Sequence, residues 1–186
     1  MRADARLKRA QIITAAMELY RTVPASQVTM EGIAAEADVG IATVYRHFPR
    51  RSDLRQACAL GLIEFLDDFL AETLEHFDTD PQGKWESFVW RLADFGVGML
   101  VGALVTDLPS VAPEVLEQRD RFFADVEVLL AKAAEHGLID PGVQPIELAS
   151  ELIVVTRPMD AQLTALFPDV RERLVRHLLV SWRVRE

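Results

Sequence analysis

Four side chains that can form hydrogen bonds fall within five residues of one another in the first third of the chain: Thr43, Tyr45, Arg46 and His47. On a helix these residues occupy adjacent turns. Hydroxyl, guanidinium and imidazole groups in this arrangement suit a groove lined by phosphates and base edges. The pattern therefore predicts a surface that recognises double-stranded DNA.

Two apolar residues, Ile41 and Ala42, come just before this group. The N-terminal end of a recognition helix points at base edges, so Ile41, Ala42 and Thr43 are candidates for direct base contact. Ile41 and Ala42 can make only apolar contacts, for example with a thymine methyl, whereas Thr43 can hydrogen-bond a base or a phosphate. Arg46 could pair with a guanine or lie on a phosphate, and the phosphate is favoured because most protein–DNA hydrogen bonds go to the backbone.

A rigid element must carry these residues, and the stretch that ends at Phe48 predicts a helix-turn-helix. Thr29 is a suitable N-cap for the first of its two helices. Gly40 is expected to provide the backbone geometry of the turn, with Val39 filling the angle between the helices. The second helix begins at Ile41 and is too short to be stable alone, so it must pack on the rest of its domain.

The run DVGIATVYRHFPRRSDL at residues 38–54 resembles the signature of the TetR family of bacterial transcriptional regulators. In that family the third helix ends in a Tyr-x-His-Phe element, which is followed by a basic residue and then by a leucine of the fourth helix. The matching residues here are Tyr45, His47, Phe48, Arg51 and Leu54. The resemblance covers about the first 55 residues.

The resemblance implies that Tyr45, His47 and Arg51 contact phosphates. The chain departs from the family at Asp38, where Gly is more frequent, and at Arg51, where Lys is more frequent. For His47 an alternative remains open, namely a hydrogen bond within the motif at the end of its helix. Thr29 also has two possible roles, because its hydroxyl could cap a helix and lie where backbone N–H groups receive a phosphate.

The net charge of −9 suits a DNA-binding protein only when it is divided along the chain. Residues 1–56 contain nine basic and six acidic side chains and carry +3, which leaves −12 on the remainder. This asymmetry indicates a basic end that meets nucleic acid and an acidic body held away from it. Arg2, Arg6 and Lys8 could extend the basic footprint, although flexible surface residues are the default at a terminus.

Composition argues against several other classes of protein. The single cysteine, Cys58, has no partner within the chain and is expected to be buried in a protein of a reducing interior. The four histidines and many carboxylates form no catalytic or metal-binding motif, so neither an enzyme nor a cofactor is predicted. The charged N-terminus is unlike a secretory signal, and the apolar stretch 95–105 is too short to span a bilayer. A cytoplasmic protein without a membrane partner is therefore expected.

The whole chain predicts an all-α fold of about nine helices, since no stretch alternates with period two for long. Ser52 is expected to cap a long fourth helix, Asp80 and Pro81 to open the fifth, and Gly137 to end the seventh. Helices are also predicted over 95–105, over 145–166 with a possible break near Pro158, and over 168–183. We expect a helix-turn-helix domain at residues 1–51 and a helical effector-binding and dimerisation domain at residues 52–186.

The larger domain carries no diagnostic motif. Its apolar residues can be interpreted either as the lining of a ligand cavity or as ordinary core. An apolar cavity for a small effector could be lined by several of them, with Arg91, Asp94, Asp107 or Arg157 orienting the ligand, although aromatic residues at helical spacing are more often core. The principal cavity candidates are Phe95, Met99, Phe122, Val126 and Met159. By the resemblance, the last two helices form a dimer interface, whose candidates are Leu152, Val155, Leu174, Leu178 and Trp182, unless these are core of the protomer.

These features together predict a homodimeric regulator, and a repressor released from a pseudo-palindromic operator by a small molecule is the favoured form. One half-site contact of this size gives modest affinity, which is why two-fold symmetry is expected. The alternative is a helical protein-interaction module without ligand control. The sequence identifies neither the operator nor the effector.

Overall fold

The computed structural model describes residues 2–104, 111–157, 159 and 161–183, and these form ten α-helices and one short 3-10 turn without any β-strand. The helices of the N-terminal half are α1 (Arg2–Thr22), α2 (Met30–Glu36), α3 (Ile41–His47) and α4 (Arg51–Glu75). After the 3-10 turn Phe77–Thr79 come α5 (Pro81–Phe95), α6 (Val97–Leu104), α7 (Pro113–Glu135), α8 (Pro145–Val155), α9 (Ala161–Leu166) and α10 (Val170–Ser181). The all-α prediction is confirmed.

Helices α1 to α3 and the start of α4 share one apolar core. Their inward residues recur at helical spacing, so each short helix buries one stripe against the others. The fully or almost fully buried members are Ile12, Ala16, Tyr20, Ile33, Val44, Phe48, Leu54 and Cys58. Packing of this kind stabilises α2 and α3, which have seven residues each and would not persist in isolation.

The 25-residue helix α4 connects the two halves of the molecule. At 1.5 Å per residue it is about 37 Å long, so its first turns belong to the N-terminal core and its later turns to the body. The prediction that Ser52 caps this helix is wrong. Arg50 is the N-cap residue, and its backbone N–H donates to Asp53 Oδ2 at 3.1 Å.

Local signals at the ends of α5 and α7 act as predicted. Asp80 accepts a hydrogen bond from Gly83 N at 3.0 Å and caps α5. Gly137 ends α7 with φ +67°, and the following Leu138 is buried and donates its N–H to Ala133 O at 3.0 Å. This arrangement is a Schellman motif, in which glycine adopts the left-handed conformation that other residues avoid.

The apolar stretch after α5 forms a separate helix, because Gly96 at φ +76° turns the chain there. Helices α5 and α6 are bent by 52° relative to each other. Among the described helices, none alone has the length and apolar character to cross a membrane, and only this bent pair taken together reaches that threshold.

The body is built around α4, α5, α7, α8 and α10. Its fully buried residues include Phe77, Trp85, Val89, Leu129 and Val175. The helix predicted over 145–166 is divided into α8 and α9, which brings the number of helices to ten; the suspected break at Pro158 and the candidate Asp107 lie outside the described residues.

Candidate nucleic-acid interface and effector cavity

Helix α3 presents one exposed face and one buried face. Val44 is fully buried, whereas Ile41, Ala42, Tyr45 and Arg46 are exposed. These four residues lie at positions i, i+1, i+4 and i+5 of the helix and therefore share one side. We call them the exposed face of α3, and the side chain of Tyr45 within it is 46% exposed.

The turn between α2 and α3 depends on Asp38 and not on Gly40. Asp38 has φ +51°, the left-handed region, while Gly40 has φ −68° and ψ 144°, which any residue can adopt. The prediction that Gly40 supplies the special geometry is therefore wrong. Gly40 instead begins α3, and its carbonyl accepts the N–H of Thr43 at 2.7 Å. Asp38 is also the position at which the family more often has Gly, and glycine adopts a positive φ without strain.

Thr29 caps α2 as predicted. Its Oγ1 accepts a hydrogen bond from Gly32 N at 3.0 Å, and the residue itself is exposed. A hydroxyl that accepts one hydrogen bond can still donate another. The geometry is thus compatible with both roles proposed for Thr29.

Arg51 is half-buried and bound to the loop that precedes α2. Its Nη2 donates to Ala25 O at 2.9 Å and also to Val28 O. This side chain therefore joins α4 to the loop between α1 and α2. The predicted phosphate contact would add to this structural role.

The neighbouring residue, Arg50, was not singled out from the sequence. Its side chain is 78% exposed, and Nη2 lies 2.9 Å from Asp53 Oδ1. This hydrogen bond lowers the pKa of the Asp53 carboxyl. Two arginines, Arg50 and Arg51, follow Pro49 in the sequence. The sequence alone does not show which of the two faces solvent.

His47 and Phe48 close the motif. The half-buried His47 ring lies 6.5 Å from the ring of Phe48, which is buried as predicted. Arg9 of α1 places its guanidinium 5.1 Å from the centre of the Phe48 ring. The basic first helix is thereby packed against the end of α3.

The body contains an apolar cavity of about 320 Å³ between α4, α5, α6, α7 and α8. Of the predicted pocket residues, Phe122 and Val126 line it. Phe95, Met99 and Met159 do not: Phe95 stacks on Phe65 with ring centres 4.2 Å apart, Met99 is half-buried elsewhere, and Met159 is exposed. Phe95 is the last residue of α5, and Met159 follows α8.

The orienting groups suggested for the ligand lie elsewhere as well. Arg91 pairs with Glu72 at 3.0 Å, Asp94 lies 3.5 Å from Arg171, and Arg157 is exposed away from the cavity lining. Arg119 of α7 lines the cavity instead. The sequence did contain a signal for it, since Arg119 falls in the apolar stripe that continues through Phe122 and Val126.

Two of the predicted interface residues belong to the core of the protomer. Leu152 is buried, and Trp182 is buried edge-on against Trp85, with ring centres 6.1 Å apart. Their large apolar surfaces are covered within one chain. Leu174 is exposed, whereas Val155 and Leu178 are half-buried.

Comparison with known proteins places this architecture. Residues 12–58 match the sequence profile of the bacterial regulatory proteins of the tetR family. The chain is similar over 98% of its length to 99% of a TetR transcription regulatory protein from Mycobacterium vanbaalenii, at 28% identity and a TM-score of 0.66. A TetR regulatory protein from Rhodobacter sphaeroides shares the fold, with a TM-score of 0.67 at 17% identity over 94% of this chain and 98% of the other.

Nucleoid occlusion factors SlmA are also similar to this chain. The protein from Shewanella frigidimarina is 33% identical over 67 residues, which is 36% of this chain and 32% of that relative. The matched segment thus spans about a third of the length of that relative. The factor from Marinobacter nauticus is 26% identical over 74% of this chain and 72% of its own length. Residues 12–58 therefore carry the helix-turn-helix profile of the TetR family, and the chain as a whole has the fold of TetR regulators.

Proposed function

We propose that this TetR-family regulator is a repressor that binds a pseudo-palindromic operator as a homodimer and leaves it when a small molecule enters the body. The observation that carries the proposal is that the cavity and the core of the DNA-binding half have residues in common. Leu62 and Leu104 line the cavity and also belong to the core of the DNA-binding half. A ligand in the cavity would therefore touch residues on which α1 to α3 are packed.

DNA contacts are assigned to residues in and around α3. Ile41, Ala42 and Thr43 read base edges, while Tyr45 and His47 hold phosphates. Arg46 adds a further contact to the DNA backbone. Thr29 and Arg51 complete the phosphate contacts at the starts of α2 and α4, where backbone N–H groups add to the attraction of an anion.

Dimerisation would place two copies of α3 in successive major grooves, about 34–36 Å apart. The exposed apolar residues Val154 of α8 and Leu174 of α10 support an interface formed by these two helices. Half-buried Val155 and Leu178 lie on the same two helices. A large apolar side chain in solvent is more stable when a second subunit covers it.

Release requires that the ligand bind better to the dimer geometry that cannot hold the operator. Helices α4 and α6 are suited to transmit this difference, since Leu62 lies on α4 and Leu104 on α6. A small displacement of either helix would alter the separation of the two α3 helices. Equal operator affinity with and without the bound effector would contradict this mechanism.

The proposal is tested by selecting DNA that binds the full-length protein from a random pool, followed by mobility shifts of the enriched sequence. We expect an inverted repeat and binding that weakens as salt increases. Arg46→Ala should reduce the shift, whereas Arg121→Ala on α7, which removes an exposed arginine of the body, should leave it unchanged. Absence of any shift at low salt would favour the alternative, a protein-interaction module without DNA binding.

The nucleoid occlusion factors suggest no separate function for this chain. The 33% identity is confined to 67 residues. A segment of that size supports a common domain, and the activity of the whole relative does not follow from it. A regulator that is not an enzyme accounts for both the exposed face of α3 and the cavity.

A further inference from the structure

The lining of the 320 Å³ cavity has one dominant character. Among the residues that the structure describes around it, Arg119 is the only charged side chain, and the others are aliphatic, aromatic or proline. A ligand with many hydroxyl or phosphate groups would leave most of them without partners, which costs free energy for each one buried. The body of the ligand must therefore be apolar.

The position of Arg119 in α7 is unusual for an arginine. It lies in the stripe Val115, Arg119, Phe122 and Val126, at positions i, i+4, i+7 and i+11, and every member of this stripe lines the cavity. Its side chain is 44% exposed, so the stem borders the apolar space while the charged end remains near solvent. Arg119 is thus both a lining residue of the cavity and accessible to solvent.

Arg119 has an exchangeable partner in the adjacent residue. Its Nε and Nη2 lie 2.9 Å and 2.6 Å from Asp120 Oδ1. Both side chains are substantially exposed, and exposed ion pairs of this kind contribute little to stability. An anionic ligand could therefore share or replace Asp120 at low cost. The planar guanidinium fork is well matched to a carboxylate.

We propose that the effector is a small amphipathic monocarboxylic acid, with its apolar body in the cavity and its carboxylate on Arg119. This inference rests on the proposed effector site and specifies its ligand. The volume lies at the lower end of the range for small-molecule pockets, about 300–1,000 Å³, which favours a short acyl chain or a single ring over a long lipid. The acidic body disfavours anions at long range, but this repulsion is screened beyond about 8 Å at physiological salt.

The test uses octanoate as the probe and octanol as its uncharged counterpart, with binding to the full-length dimer followed by calorimetry. We expect octanoate to bind more tightly than octanol. Arg119→Gln should weaken octanoate binding about tenfold or more and leave octanol binding unchanged, because only the charge-assisted hydrogen bonds are lost. Arg119→Lys should restore part of the affinity. Arg121→Gln, which changes an arginine of α7 outside the cavity lining, is the matched control.

Three results would overturn the ligand class: equal affinity for octanoate and octanol, no effect of Arg119→Gln on octanoate, or no octanoate binding at millimolar concentration. Ala149→Leu, which fills the cavity, should weaken both probes; unchanged binding would place the probes elsewhere and also overturn the inference. Operator release is measured separately by mobility shift. Arg119-dependent octanoate binding without release would contradict the proposed function alone, whereas release by octanol and not by octanoate would contradict the ligand class alone.

Discussion

At the scale of single residues, Asp38 departs from the family pattern and also has an unusual backbone conformation. Its φ of +51° explains why glycine is the more frequent residue at this position of the motif. Most L-residues lose about 1–2 kcal/mol in this region, and Asp loses less because its short side chain can hydrogen-bond locally. The turn is therefore tolerated with Asp38.

We expect Asp38→Ala to lower the free energy of unfolding by about 1 kcal/mol, while Asp38→Gly should be at least as stable as the natural protein. Urea denaturation measures both. Glu36→Gly, in the last turn of α2, is the control, because glycine in a right-handed helix is destabilising by about 0.5–1 kcal/mol. An Asp38→Ala variant of unchanged stability would show that the turn adopts another conformation.

Tyr45 and Thr43 are assigned different tasks on the same helix. Tyr45→Phe removes one hydroxyl from the proposed phosphate contact and should weaken binding to operator and to scrambled DNA by a similar factor, about tenfold. Thr43→Ala should instead change the preferred operator sequence. Fluorescence anisotropy on matched duplexes measures both effects. If Tyr45→Phe altered preference and left the affinity for scrambled DNA intact, the division of contacts would be reversed.

Burial of Cys58 gives the DNA-binding half a dependence on alkaline pH. Desolvation raises the pKa of the thiol to about 12, above the unfolded value of about 8.5. The contribution of the neutral thiol is thus fully present below the unfolded pKa and is lost as pH rises toward the folded pKa, by up to about 1.4 kcal/mol per pH unit. Unfolding free energies from pH 7 to 10 should fall more steeply for the natural protein than for Cys58→Ala; parallel curves would mean that the thiolate is tolerated inside.

At the scale of elements, α6 lies between the two halves. The N–H of Gly98 in α6 donates to Oγ1 of Thr156, the residue after α8, at 2.9 Å. Leu100 of the same helix is buried in the core of the DNA-binding half. A Cβ on Gly98 would meet the carbonyl oxygen of Ile153 at 2.4 Å, whereas one on Gly102 would meet no atom of the described residues within 4 Å. Helix α6 therefore packs closely on its neighbour at Gly98 and not at Gly102.

Gly98→Ala should cost about 1–3 kcal/mol of stability, because backbone atoms of α8 must move to admit the methyl group. Gly102→Ala, one turn further along the same helix, should stabilise by up to about 1 kcal/mol, since it only improves helix propensity. Thermal unfolding measured on both variants checks this contrast. Equal effects would mean that α6 and α8 do not approach so closely.

The sequence predicted elements where the signal was local and missed features that depend on tertiary packing. Asp80 and Gly137 mark helix ends through their own backbone and cap hydrogen bonds, so both were readable. The choice between Arg50 and Ser52 as the cap of α4 depends on how the preceding loop packs. Phe95 has the apolar aromatic side chain expected of a pocket residue, but at the end of α5 it stacks on Phe65 of α4.

At the scale of the whole molecule, the two halves differ in charge and share apolar residues. Residues 1–56 carry +3 and the rest −12, which favours approach of DNA by one end only. The two apolar cores nevertheless adjoin, because Ala59, Leu66 and Phe95 pack against both. Leu62 and Leu104, which the proposed release mechanism uses, belong to the core of the DNA-binding half and line the cavity. The two halves thus differ in the sign of their charge but are joined by apolar packing.

The proposed recognition of two half-sites also depends on a subunit interface. Val154 of α8 is 66% exposed and Leu174 of α10 is 39% exposed, so a carboxylate at either position could be accommodated in the protomer. In a dimer the same carboxylate would be buried among apolar residues without a partner. Its desolvation would then cost free energy and weaken the association of the subunits. Val154→Glu combined with Leu174→Glu should therefore shift the mass measured by light scattering from twice 20.9 kDa to 20.9 kDa.

The same double variant should lose most of its operator affinity, because each protomer would retain a single half-site contact. Val128→Glu is the matched control: Val128 of α7 is 51% exposed, and its substitution should change neither mass nor operator binding. Circular dichroism would verify that both variants keep their helices. A double variant that stays dimeric would move the interface away from α8 and α10, and a monomer with full operator affinity would remove the need for two-fold symmetry in recognition.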